Sequence, residues 1–83
     1  MCRNITELRG LEPPASAEEI EAAARQYVRK VSGFTRPSSA NAEAFEEAVA
    51  EVAATTTRLL HALPERRQPP KTDPPLRRLA AAT

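Results

Sequence analysis

The sequence has no tryptophan, one tyrosine, two phenylalanines, one cysteine, one histidine and two glycines in 83 residues. Each scarcity excludes something. With Cys2 as the sole cysteine, no disulfide forms within the chain and no zinc site can be built from several thiolates. His61 has no second histidine one helical turn away, so it offers no paired imidazole ligands. No apolar run approaches the roughly eighteen residues a membrane-spanning helix needs, and the first residues lack the apolar stretch of a signal peptide. The expectation is a cytoplasmic protein, in which the Asn4-Ile5-Thr6 sequon carries no sugar. The paucity of aromatic groups also bounds stability. Hydrophobic residues make up 41% of the chain, but many are alanines, which bury little area. A chain of this length hides only about 60% of its unfolded surface on folding. A dimer, a partner or modest stability is therefore expected.

Charge is unevenly placed. Residues 1–63 carry seven Lys/Arg and nine Asp/Glu, whereas residues 64–83 carry five Lys/Arg (Arg66, Arg67, Lys71, Arg77, Arg78) and two acids. The body is mildly acidic and the tail mildly basic, with a net charge of +1 overall.

The best-marked element starts at Ser16. Ser16 and Glu19 have the spacing of a reciprocal capping box. Glu18, Glu19 and Glu21 suit the positive end of a helix dipole, and Arg25, Arg29 and Lys30 the negative end. Ile20, Ala24, Tyr27, Val28 and Val31 recur with helical spacing. Gly33 is a natural stop, with Phe34 placed to fold back and close the turn. A second long helix is predicted from about Ser39 to Leu63, capped by Ser38, Ser39 or Asn41 and ended by Pro64. Its seam is Phe45, Val49, Val52, Thr56, Leu59 and Leu63, with Leu60 widening it. Thr55-Thr56-Thr57 is its weak point, because consecutive β-branched residues disfavour helix. Asn4 to Gly10 reads as a short docked helix, with Asn4 and Glu7 as a second capping box. Pro13 and Pro14 make an extended connector.

The predicted architecture is all-α: a short N-terminal helix on an antiparallel two-helix hairpin, residues 1–63, followed by an extended, mobile, Pro-rich basic tail, residues 64–83. Ile20, Tyr27, Val28 and Val31 are expected to face Phe45, Val49, Val52 and Leu59. The tail has no P-x-x-P spacing to recruit a polyproline-binding domain. Leu76 to Ala82 is a candidate last short helix.

Few residues carry chemistry. Cys2 is the candidate thiol or metal ligand, with Arg3 beside it to favour the thiolate. The simpler reading is an incidental terminal thiol. Glu43, Glu46, Glu47 and Glu51 read as a solvated face. Arg25, Arg29 and Lys30, with Ser32, Gly33, Phe34 and Arg36 beside them, form the candidate interaction surface. No catalytic residues and no cofactor are expected, and no metal site apart from Cys2. The favoured function is a non-enzymatic protein–protein interaction or assembly module, binding a protein partner or a second copy. The alternatives are a thiol-dependent or metal-binding protein using Cys2, and a weak nucleic-acid binder using the basic patch and tail. No membrane partner is expected, and the absence of stacking aromatics among the tail arginines disfavours nucleic acid.

Two resemblances rest on particular residues. Met1-Cys2-Arg3-Asn4-Ile5, the Glu12-Pro13-Pro14-Ala15 connector and Val28-Arg29-Lys30-Val31-Ser32-Gly33-Phe34-Thr35-Arg36-Pro37-Ser38 resemble a family of small bacterial proteins. That family opens with the same five residues and is catalogued as a domain of unknown function. The likeness spans roughly residues 1–63 and implies a compact helical domain without an assigned activity. The order of connector, basic-ended helix, loop and helix is also similar to the layout of a J-domain co-chaperone. Ser32-Gly33-Phe34-Thr35 stands where a J-domain carries His-Pro-Asp, so co-chaperone activity is not implied.

Overall fold

The structure is a computed structural model, and it describes residues 4–64, 66, 68–70 and 73–77. Among these residues there are two long helices and no strand: α1, Ala17–Ser32, and α2, Ala42–Ala62. They lie antiparallel as a hairpin. The first helix is fixed at both ends as its sequence implies. The Glu19 amide donates to Ser16 Oγ at 3.1 Å and the Ser16 amide donates to Glu19 Oε1 at 2.8 Å. Gly33 takes φ +78° and donates its amide to the Arg29 carbonyl at 2.9 Å, closing the last turn with a residue that meets no penalty there.

The second helix begins at Ala42 with Asn41 at its N-cap position, the last of the three candidates, so Ser39 lies outside it. Residues Ser39 to Asn41 are a turn, in which the Asn41 side chain donates to Ser38 Oγ at 3.1 Å instead of capping the helix. The three threonines do not interrupt it. Thr56 and Thr57 donate their hydroxyls to the carbonyls of Val52 and Ala53 at 2.7 and 2.9 Å, satisfying their polar groups within the helix.

The core is small and comes in two parts. Ala24, Val28, Phe45 and Val49 are buried together near the closed end of the hairpin. Ile20 is buried at the open end with Leu8 and Leu11, and Leu60 packs against them. The expected facing stripes are thus corrected at three positions. Tyr27 is 49% exposed, Val31 65% and Leu59 55%, while Ala24 is buried at 3%. Tyr27 and Leu59 stand on the flanks of the buried stripes of their helices, Ile20–Ala24–Val28 and Phe45–Val49, so each points outward beside the partner helix rather than into it. Val31 lies on the last turn of α1, where residues 34–41, all exposed save half-buried Pro37, return without covering it. Phe34, expected to close the turn, is likewise 42% exposed.

The lead-in contains no helix. Residues 4–10 are bends and a turn at Arg9–Gly10. The local capping box is absent because its members have distant partners. The Asn4 amide donates to Gln26 Oε1 at 2.6 Å, and the Glu7 carboxylate pairs with Arg66. A single turn gains too little from its own hydrogen bonds to outweigh such contacts. The J-domain-like short helix is missing for the same reason.

The tail also departs from expectation. Pro74 is buried, residues 75–77 form one helical turn, and Arg77 reaches back to Glu19. Its described residues are docked on the body rather than extended away from it. The remainder of the candidate short helix Leu76 to Ala82 lies outside the described residues.

Candidate functional site

Helical geometry splits the basic cluster at the end of α1. Arg25 and Arg29, one turn apart, share the side facing Glu46; Lys30 lies on the other side with Tyr27. Arg25 is already engaged. It donates through Nη1 and Nη2 to the two oxygens of Glu46 at 2.7 and 2.8 Å, and through Nη2 to Glu21 at 3.0 Å. Its guanidinium stands 6.0 Å from the centroid of the Phe45 ring. The hydrogen bonds from Arg25 hold the Glu46 carboxyl below the usual carboxylate range, against the opposing effect of burial. Arg25 is therefore a bracket joining α1 to α2 over the core. Of the residues singled out in the sequence, Arg29, Lys30, Ser32, Gly33, Phe34 and Arg36 are exposed together around the closed end of the hairpin. Ser32 Oγ accepts from the Phe34 amide at 3.2 Å, which fixes how the chain leaves the helix.

The structure adds Tyr27 and Val31 to this end. They lie one turn apart on α1, are apolar, and are open to solvent. Next to them is a hollow of about 420 Å³ lined by Tyr27, Glu51, Val52, Thr55 and Thr56. Sequence periodicity assigns Tyr27 and Val31 to the core stripe, because spacing along one helix cannot show how its partner is set against it. The only advance sign is the length and polarity of the 34–41 connection, which holds nothing large enough to cover them.

One family model matches the chain over residues 1–83, and its description is "Uncharacterized conserved protein (DUF2277)". The chain belongs to this family. The match takes in the tail as well as residues 1–63, on which the resemblance rests. No curated protein and no solved structure matches the chain.

The remaining candidates are dispersed. Cys2 lies outside the described residues. His61 is exposed on the last turn of α2, at the opposite end of the hairpin from Phe34. Among the described residues no group of three or more His, Cys, Asp or Glu is placed to hold a metal ion, and no helix is long and apolar enough to cross a membrane. The two described tail arginines are both paired, Arg66 with Glu7 and Arg77 with Glu19. A cavity of about 320 Å³ lies where the lead-in meets the end of α2, between Leu11, Ile20, Leu60 and Leu63, with Arg9 and His61 among its lining residues. Arg9 Nε is spent on the Pro64 carbonyl at 3.1 Å.

Proposed function

We propose that this domain is a non-enzymatic protein-interaction module whose binding face is the closed end of the hairpin. One observation carries the reading. Of three aromatic side chains in the protein, only Phe45 is buried; Tyr27 and Phe34 are 49% and 42% exposed, with Val31 between them in sequence at 65%. A chain with so few large apolar groups would bury them in its own core if self-stabilisation were their role, and exposed clusters of this kind mark interaction surfaces. Lys30 flanks Tyr27 and Val31 on α1, and Arg29 and Arg36 are exposed at the same end of the molecule. They supply the polar surround that an interface of this kind uses. The test is comparative capture from native cell extract, with the full chain as bait. A partner retained by the wild type and lost by a Tyr27→Ser, Val31→Ser double variant of unchanged circular dichroism supports the reading. Identical captures by the two baits would refute it.

A further inference from the structure

We propose that the occupant of the Tyr27–Val31 face is a second copy of this chain, in a two-fold pair. This rests on the interaction reading above and names its partner.

A two-fold interface must be self-complementary, with each patch supplying both the feature that inserts and the feature that receives it. The face has both. Val31 stands 65% exposed on the last turn of α1. The hollow of about 420 Å³ sits between Tyr27 on α1 and Val52, Thr55 and Thr56 on α2. A two-fold axis near Tyr27 sets the Val31 of each copy into the hollow of the other, ridge into groove.

Charge has the same symmetry. Lys30 is exposed beside Tyr27 and Val31, and Glu51 is exposed on the edge of the hollow. The face thus carries Lys30 at its inserting end and Glu51 at its receiving end, where Arg58 also donates to Thr55 at 3.0 Å. The two-fold brings Lys30 of one copy to Glu51 of the other, twice. A strongly acidic or strongly basic partner would leave one of these charges facing its own sign.

The layering agrees, since domains are built from two packed layers around a core. Leu8 and Leu11 supply a partial second layer over Ile20, and the lead-in extends to Gln26 through Asn4. The hairpin beyond Gln26 has no such cover among the described residues.

The test is sedimentation equilibrium of the full chain over a concentration series. The expected species has a mass of 18.2 kDa, twice 9.1 kDa. Val31→Glu should sediment at 9.1 kDa with unchanged circular dichroism. Lys30→Glu and Glu51→Lys should each weaken the dimer about tenfold, and the two changes together should restore it. A wild type that stays at 9.1 kDa up to about 1 mM overturns the proposal, as does a dimer that Val31→Glu leaves intact. A double swap as weak as either single change overturns the two-fold geometry. If the wild type is monomeric yet loses a captured protein on Val31→Glu, the second copy is ruled out while the interaction reading stands. If neither self-association nor Val31-dependent capture is found, both fall.

Discussion

Arg77 donates through Nε and Nη2 to the two carboxylate oxygens of Glu19, at 3.0 and 2.9 Å, across 58 positions of sequence. The same Nη2 lies 3.4 Å from the Pro14 carbonyl. Glu19 is buried, with 5% of its side chain exposed, so the carboxylate that caps α1 sits in a place water barely reaches. Its charge is tolerable because the Ser16 amide and the Arg77 guanidinium both donate to it.

Removing the cation should therefore cost more than an exposed ion pair would. Arg77→Ala leaves a buried carboxylate with only the capping amide, and is expected to destabilise the fold by about 2 kcal/mol. For a domain of this size that lowers Tm by on the order of 10 °C. Thermal melts followed by circular dichroism measure it; a Tm within a degree or two of the wild type would contradict the buried pair.

The same carboxylate sets an acid limit. Burial pushes the Glu19 carboxyl up, but the hydrogen bonds from Ser16 and Arg77 outweigh it and leave its pKa below the ordinary value. A group whose pKa is lowered by folding stabilises the fold above its unfolded value, about 4.3, and that contribution is lost as pH falls through the folded value. The wild type should lose stability below about pH 4. Glu19→Gln should be the less stable protein at pH 7, and the gap should narrow as the pH is lowered from about 4 to 2.5. Melts across that range decide it.

The two glycines should not be equivalent. Both have positive φ, so an alanine at either carries about 1 kcal/mol of backbone strain. At Gly33 an added Cβ meets open space. At Gly10 it would lie 2.8 Å from Arg66 Cβ, so the tail must shift as well. Gly10→Ala should destabilise more than Gly33→Ala in denaturant unfolding, and in an Arg66→Gly background, which lacks the Glu7 pair throughout, the two changes should cost the same.

Val28 and Val31 test how far α2 reaches. Val28 is 5% exposed and Val31 65%, although they are three residues apart on one helix. Val28→Ala should cost about 2 kcal/mol from lost burial and the cavity left behind. Val31→Ser, measured on the dilute monomer, should fall within about 0.5 kcal/mol of the wild type. Equal costs would mean that the loop covers Val31 in solution.

Much of the hairpin is legible in the sequence because its signals are local. The Ser16–Glu19 box, the Gly33 stop and the Ile20–Ala24–Val28 spacing each act within a few residues, and each is found as read. What sequence leaves hidden depends on distant partners. Asn4 and Glu7 have the form of a cap, yet Gln26 and Arg66 claim them. Arg25 looks like part of a free basic patch until Glu46 is brought opposite it. Tyr27 and Val31 share the periodicity of the core, but Tyr27 falls on the flank of the stripe beside Val52, and Val31 on the last turn, where the loop leaves it open. The tail prolines suggest a chain held away from the body, and nothing local to Arg77 announces a buried carboxylate 58 residues earlier.

That separation also orders events in time. The hairpin can form from neighbours, since α1, its loop and α2 follow one another directly, and such local contacts form early. Glu19 cannot be neutralised by Arg77 until both helices and most of the tail have been synthesised. The carboxylate that starts the first helix thus waits for the last described residue of the protein. In a refolding experiment, protection of α1's first turn from hydrogen exchange should therefore mature after that of the Val28–Phe45 region.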